Sequence, residues 1–310
     1  MLIFKCIITF NFIFIDYFKV VEESLLTDSQ ECVEAVQNAN DQFSQMLTRR
    51  VGQRSINDLF KLCDSIEGAP SEDISNLYES IADNFAGIVQ YNKDNRNFGG
   101  SKKQNPITID TICTIMKNES IGIELDRLAA FNSLLLKEYN QTCLDCKYDK
   151  MIAALRNFSW DSEQAEGGRQ WTYQTCTEFG FFQTSALNVT QSLFGDKFPV
   201  DFFIKQCADI YGDNFNRDLL EQGILQTNVI YGAFDNHVGN VVYVHGSIDP
   251  WHALGITKTL RDDAPAIYIE GTAHCAEMYP GSPDDPQQLV DARNQIEEII
   301  GDWLAQSKIN

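Results

Sequence analysis

The chain has 310 residues, of which 44% are hydrophobic and 22% are charged, and this composition excludes collagen-like, wholly disordered and multi-span membrane proteins. Acidic residues outnumber basic residues 44 to 24, which gives a net charge of -20. A nucleic-acid partner is therefore not expected, because binding a polyanion requires a basic surface. The length suits one large domain or two modest ones.

The first residues, MLIFKCIITFNFIFI at 1–15, form an apolar run with a single lysine. Its length matches the hydrophobic core of a signal peptide, but no small-residue cleavage site follows. Its isoleucine, phenylalanine and threonine content is equally typical of a buried strand, and both interpretations stay open. The run is too short to cross a bilayer, so we expect no stable membrane span.

Residues 28–140 are predicted to form a helical unit, because apolar residues recur there at intervals of three and four. The expected helices run over 28–50, 55–63, 71–89, 106–116 and 123–139. Asp28 and Glu31 resemble a capping box at the start of the first of these helices. The polar residues 92–104 predict an exposed loop between two helices.

After residue 235 the pattern changes to short runs rich in β-branched residues. Residues 240–244 (NVVYV) and 264–269 (APAIYI) predict two buried strands, with a helix between them over 251–260. Pro286 predicts the start of a closing helix. Because strands and helices alternate, we predict the α/β class with a parallel sheet, carried by residues 236–310.

Asp249 and His274 follow the two predicted strands and are the leading candidates for catalysis. Loops beyond the carboxyl ends of parallel strands carry the functional residues of such sheets. Gly246 permits a tight turn after the first strand, and Pro250 favours an extended backbone at Asp249. A histidine works as a general base when a carboxylate holds its Nδ1 proton. The alternative is an aspartate turn and a surface histidine in unrelated loops, and spacing alone leaves both open.

Cysteines and glycosylation sequons indicate the secretory pathway. Apart from Cys6 in the apolar run, the cysteines form an even set, which predicts a disulfide framework made in an oxidising compartment. The members of this set are Cys32, Cys63, Cys113, Cys143, Cys146, Cys176, Cys207 and Cys275. The N-x-S/T sequons predict N-glycosylation at Asn118, Asn140, Asn157 and Asn188. We therefore expect an extracellular or lysosomal protein.

Three segments carry a resemblance to a known family: WTYQTCTE at 171–178, DPWHALG at 249–255 and GTAHCAEMYP at 271–280. They resemble the prolyl-carboxypeptidase family of serine peptidases, and most of all its thymus-specific branch. The resemblance covers residues 16–305. It implies the C-terminal part of an α/β-hydrolase sheet with a large, mostly helical inserted domain. The inserted domain corresponds to residues 16–235 of this chain.

The resemblance also implies roles for individual residues. The family uses serine, aspartate and histidine in that chain order, and Asp249 and His274 match the last two positions. A disulfide between Cys176 and Cys207 is implied as well. The implied activity is exopeptidase cleavage of peptides beside proline, without a cofactor or metal.

The nucleophile of that family has no match in this sequence. An α/β hydrolase carries its serine at a strand-to-helix elbow, G-x-S-x-G or a close variant, ahead of the acid and the histidine. The elbow of the family, G-G-S-Y-x-G, precedes a segment that resembles residues 16–25 (DYFKVVEESL). We therefore expect the first strands, the oxyanion loop and the serine to be absent from this chain. Ser101 stands in a similar G-G-S sequence, but it lies in the polar loop with no strand before it.

Two hypotheses follow. In the first, the gene encodes a serine peptidase, and this chain is an incomplete version that is inactive as it stands. In the second, the chain is a complete, non-catalytic relative that binds peptides or a partner. We favour the first, because a sheet without most of its strands exposes unpaired edges and apolar faces.

Other residues have weaker claims to function. Cys143 and Cys146 form a C-x-x-C pair, which suits redox or zinc chemistry, but ordinary disulfides to other cysteines are favoured. His245 and His252 flank Asp249 and could bind a metal with it, although polar positions near a cleft are favoured.

His237 lies in a polar loop with no evident partner. Cys275 is expected to form a disulfide and to point away from the neighbouring histidine. Phe179, Phe181 and Phe182 suit either the wall of a substrate pocket or core packing.

Overall fold

The computed structural model describes residues 16–93, 107–185 and 192–307. The apolar run 1–15, Ser101 and Asn188 lie outside these ranges. Within them the chain is mostly helical, with a small parallel sheet near its end. None of the helices in these ranges is long and apolar enough to cross a membrane.

The helices, in chain order, are α1 (Asp16–Leu26), α2 (Gln30–Leu47), α3 (Arg50–Leu59), α4 (Ser71–Gln90), α5 (Ile109–Met116), α6 (Glu124–Glu138), α7 (Tyr148–Arg156), α8 (Gly168–Gln174), α9 (Val200–Tyr211), α10 (Arg217–Tyr231) and α11 (Gln287–Ser307). A π-helical turn, Thr175–Phe179, continues α8. The strands are β1 (Tyr243–Gly246) and β2 (Ala266–Ile269).

Local sequence explains where several helices begin. The Ser29 hydroxyl, rather than the predicted Asp28 carboxylate, caps α2 by accepting from the Cys32 amide. The helix predicted to follow Ser55 in fact begins at Arg50 and ends at Leu59, so Cys63 lies outside it. Apolar periodicity located this helix, but it did not mark its ends because no strong capping residue stands at either end.

The helices enclose one apolar core, to which α1 contributes a central face. Phe18 of α1 packs against Phe194 and Phe198, and the deepest core residues of α2 and α4 include Phe43 and Phe85. Burial of such aromatic side chains supplies much of the stability of a helical core.

Disulfides join distant parts of the helical region. Cys32 of α2 pairs with Cys113 of α5, and Cys63 pairs with Cys143. The third disulfide joins Cys176 in the π-helical turn to Cys207 of α9, the pair that the family resemblance implies.

The strands β1 and β2 run parallel, with Tyr243 opposite Ala266 and Gly246 opposite Ile269. One face of the sheet packs against α11, and the other packs against Ile256. The prediction of a helix over 251–260 is wrong, because the structure has only a short 3-10 helix, Pro250–Leu254, in this segment. It ends at Gly255, where a β-carbon would overlap the ring of His245.

Candidate active site

Asp249 and His274 lie on the loops that follow β1 and β2. Because the strands are parallel neighbours, both loops leave the same edge of the sheet. The Ile248 amide donates to the Thr272 carbonyl at 3.0 Å and joins the loops. A β-carbon at Gly246 would overlap the Thr272 carbonyl oxygen, so only glycine permits this approach.

The Asp249 carboxylate has a separate contact for each oxygen. Oδ1 accepts from the Trp251 amide at 3.1 Å and caps the 3-10 turn. Oδ2 lies 2.8 Å from Nδ1 of His274, and Asp249 is only 5% exposed. The structure thus brings together the two residues that the sequence singled out, in the geometry by which an acid orients a histidine base.

The C-terminal end of α4 holds both loops, a contact that sequence analysis did not predict. The Gln90 carbonyl, which has no partner inside the helix, accepts from the His274 amide at 2.9 Å. The Gln90 side-chain oxygen accepts from Tyr17 Oη and Trp251 Nε1, each at 2.8 Å. The Tyr91 ring stands edge-on to the His274 ring, with centroids 5.8 Å apart. Motif and spacing do not reveal such contacts, because they join residues far apart in sequence.

Opposing effects act on the pKa of His274. Burial lowers it, but the hydrogen bond to Asp249 and a further one to Cys275 outweigh burial, so the pKa rises above its ordinary value. The Asp249 carboxylate therefore stabilises the imidazolium, which is the charge state that a histidine base acquires when it accepts a proton.

We expect Asp249→Asn to return the pKa of His274 towards the usual value of about 6.5. The raised pKa stabilises the folded wild type fully below about pH 6.5, and this stabilisation is lost as the pH rises through the higher folded value. The variant should therefore lose most stability in acid. NMR titration of the histidine ring protons checks the pKa, with exposed His237 as an internal control. An unchanged titration of His274 would contradict the assignment.

The prediction that Cys275 forms a disulfide and points away from His274 is wrong. It is a free thiol rather than half of a disulfide, and it contacts His274 instead of pointing away from it. The reason is its left-handed backbone, with φ 56° and ψ 25°, which folds the side chain back. Cys146 was also expected in a disulfide, but it is a buried free thiol, whereas its C-x-x-C partner Cys143 is bonded to Cys63.

The two free thiols should differ in reactivity. Burial raises the pKa of Cys146 to about 12, so its reactive thiolate is scarce at neutral pH. Cys275 is partly exposed. We expect iodoacetamide to modify Cys275 in the native protein and Cys146 only after denaturation, as read by peptide mass mapping. Cys275→Ser is the control for site assignment. Faster modification of Cys146 would refute the burial assignment.

The remaining histidines are not part of the acid–histidine hydrogen bond, although the charges of Asp249 and His274 act on the pKa of His245. Burial lowers the pKa of His245 to about 4, so this residue is neutral at physiological pH. His252 packs against the Tyr268 ring, and exposed His237 lies 3.7 Å from the Asp235 carboxylate. These side chains do not gather around Asp249 as a metal site among the residues described.

Across the described ranges, the one group with metal-ligating atoms close together is Asp28, Cys32 and Cys113. The sulfurs of Cys32 and Cys113 are joined in a disulfide and are not thiolates, so this group is a poor metal site.

Phenylalanines of the 179–182 segment pack beside the site. Phe181 is buried and lies edge-on to Trp251, with ring centroids 5.8 Å apart. Phe182 is buried against Phe203. Phe179 is partly buried and packs on Phe181. These contacts show core packing and leave a role in a substrate pocket as a proposal.

Parallel strands that hold a carboxylate and an imidazole in contact beyond their carboxyl ends are typical of α/β hydrolases. The family model described as serine carboxypeptidase S28 matches residues 7–296. The chain belongs to this family, which confirms the relationship that the sequence motifs predicted.

Named relatives agree with this membership. A Caenorhabditis elegans protein described as a serine protease is 29% identical over 94% of this chain and 56% of its own length. The mouse thymus-specific serine protease is 28% identical over 94% of this chain and 56% of its own. The human lysosomal Pro-X carboxypeptidase is 22% identical over 93% of this chain and 54% of its own length. The chain is thus more similar to the thymus-specific than to the Pro-X enzyme, and it spans about half the length of each relative.

Proposed function

We propose that this chain carries the acid and the base of a serine peptidase that hydrolyses peptides near proline. The observation that carries the proposal is the 2.8 Å contact between Asp249 and His274 at the ends of neighbouring parallel strands. The names of the relatives, which include a Pro-X carboxypeptidase, support the substrate class.

In the proposed reaction His274 accepts the proton of a serine hydroxyl as that oxygen attacks the peptide carbonyl. Asp249 keeps the Nδ1 proton in place and stabilises the imidazolium. His274 then donates the proton to the leaving amine, and an acyl-enzyme remains on the serine. Water hydrolyses the acyl-enzyme by the same proton transfers in reverse order. No cofactor is required.

The serine is the part of this machinery that the chain does not provide. No G-x-S-x-G motif occurs in the 310 residues, and among the residues described no serine hydroxyl hydrogen-bonds to His274. We therefore propose that these 310 residues alone do not hydrolyse peptides.

The same observation favours a second candidate, a non-catalytic relative that binds a peptide or a protein partner.

We further propose that residues 16–235 form a helical domain inserted into the hydrolase fold, and that residues 236–310 belong to the hydrolase domain.

The disulfides support folding in the secretory pathway, with an extracellular or lysosomal location. Asn118, Asn140 and Asn157 are exposed, which suits N-glycosylation, and Asn188 is proposed as a fourth site from its sequon.

Two experiments test these proposals. We expect no labelling of the purified chain by a serine-directed phosphonate, and stoichiometric labelling would refute the absence of a nucleophile. The transcript upstream of Met1 separates the two candidates. An in-frame G-G-S-Y-x-G segment supports the peptidase, and its longer product should lose peptide hydrolysis on His274→Ala. Stop codons in that position support the binding protein.

A further inference from the structure

An arginine of α11 holds the loop that carries His274 on its C-terminal side. Arg293 Nη2 donates to the Ala276 carbonyl at 2.8 Å, and Arg293 Nε donates to the Glu277 carbonyl at 3.2 Å. Both carbonyls belong to the 3-10 turn Ala276–Met278, which begins two residues after His274. One guanidinium therefore bonds two successive peptide groups of the site loop.

The third arm of the guanidinium is bonded to a buried acid. Nη1 of Arg293 donates to Oδ2 of Asp285 at 2.5 Å, and the same oxygen accepts from the Ser282 amide at 2.8 Å. The Asp285 side chain is only 2% exposed and the Arg293 side chain 20%. Charged hydrogen bonds shielded from water are stronger than those at the surface. The guanidinium is therefore fixed in the orientation that directs it at the two carbonyls.

Helix α11 gives this side chain a rigid base. Leu289 and Ala292 of α11 are buried in the apolar cluster that covers one face of the sheet, and Ala276 of the site loop belongs to the same cluster. Packing against β1 and β2 thus sets the position of α11 without the arginine. Loss of the Arg293 hydrogen bonds therefore releases the loop and leaves the helix in place.

Cys275 is the point at which the loop needs support. Its φ of 56° lies in the left-handed region, which is unfavourable for a residue with a β-carbon and persists only where neighbouring contacts enforce it. Before Cys275, the Gln90 carbonyl accepts from the His274 amide at 2.9 Å. After Cys275, Arg293 holds the next two carbonyls. Without Arg293 this backbone can relax, and the His274 ring then moves away from Asp249.

We propose that Arg293 is a positioning residue for the base: it acts through the backbone of residues 275–277 to hold His274 in contact with Asp249. The inference rests on the proposed function, because it takes His274 to be a base. Lysine cannot replace Arg293, because one ammonium does not reproduce the planar fork that reaches three acceptors.

Titration of His274 by NMR in a charge-balanced double variant tests the proposal. Arg293→Met with Asp285→Asn removes both arginine bonds to the loop and leaves neither member of the buried ion pair without its partner. Burial lowers the pKa of His274, but the Asp249 bond outweighs burial and the pKa rises to about 10 in the wild type. We expect it to fall by at least about one unit in the variant, a tenfold loss of preference for the charged ring, because the Asp249 contact loosens.

The direction of the shift separates positioning from charge. Loss of a nearby cation alone favours the protonated ring and raises the His274 pKa. The double variant removes one positive and one negative charge, so a fall in pKa reports the geometry of the Asp249 contact. Arg293→Lys keeps the positive charge and should give a smaller fall in the same direction.

Arg261 offers a matched control. Its Nη1 and Nη2 donate to the Asn236 and Val238 carbonyls at 2.7 and 2.9 Å. Its Nε donates to the Asp263 carboxylate at 3.0 Å. The partners are of the same kind as those of the α11 arginine, but Arg261 precedes β2, whereas His274 follows it. Arg261→Met with Asp263→Asn should leave the His274 pKa unchanged.

Melting curves followed by circular dichroism verify that both double variants fold. An unchanged His274 pKa in the folded Arg293 double variant, or an equal fall in the Arg261 double variant, would overturn the proposal. If the Arg293 double variant does not fold, an unchanged pKa in Arg293→Lys overturns it instead. The titration needs neither a serine nor a peptide, so its result stands whether or not the phosphonate and transcript experiments support the peptidase.

Discussion

Trp251→Ala is expected to lower the free energy of unfolding by about 3 to 5 kcal/mol, the usual cost of removing a large buried aromatic side chain. The Trp251 ring is buried against Tyr17, Trp171 and Phe181, with centroid distances of 5.4, 5.8 and 5.8 Å. Its Nε1 also donates to Gln90. Denaturant unfolding followed by circular dichroism measures the loss.

Two variants sharpen that experiment. Trp160→Ala removes a ring that is 90% exposed and should change stability by less than about 0.5 kcal/mol. Trp251→Phe keeps most of the packing and loses the hydrogen bond, at a cost of about 1 kcal/mol from that bond. Because Trp251 follows Asp249 closely, Trp251→Ala should also shift the His274 titration. An alanine variant as stable as wild type would show that the 3-10 turn is not part of the helical core.

Removing the disulfide between Cys32 and Cys113 by a double alanine substitution should cost about 4.5 kcal/mol in the chain-entropy account. This disulfide closes a loop of 81 residues, whereas the one between Cys176 and Cys207 closes a loop of 31. The shorter loop predicts about 3.7 kcal/mol for the corresponding double variant.

Unfolding of both disulfide variants should be measured in the same denaturant and compared with wild type. The expected order follows loop length alone. If the Cys176/Cys207 variant proves the less stable of the two, packing around the π-helical turn outweighs chain entropy.

The sequence predicted much of the helical region, because its signal is local. The stripe of apolar residues over 71–89 gave α4, Ser71–Gln90, almost to the residue. Likewise, Asp249 and His274 were identified because each lies three residues after the glycine that follows a predicted strand.

Contacts between distant segments were not predictable in this way. Gln90 holds both site loops, yet nothing near it in the sequence marks that role. Most disulfide pairs also join cysteines far apart in sequence, so their pairing could not be predicted from local patterns. The left-handed backbone of Cys275 follows from tertiary packing that no motif encodes.

The three hydrogen bonds that Gln90 accepts have a dynamic consequence. Its carbonyl bonds the His274 loop, and its side chain bonds both α1 and the Asp249 loop. Fraying of the last turn of α4 therefore breaks all three at once, and the acid–histidine contact opens together with the helical core as one cooperative segment. In hydrogen exchange, the His274 amide should follow the slow amides of α4 rather than the fast amides of a surface loop.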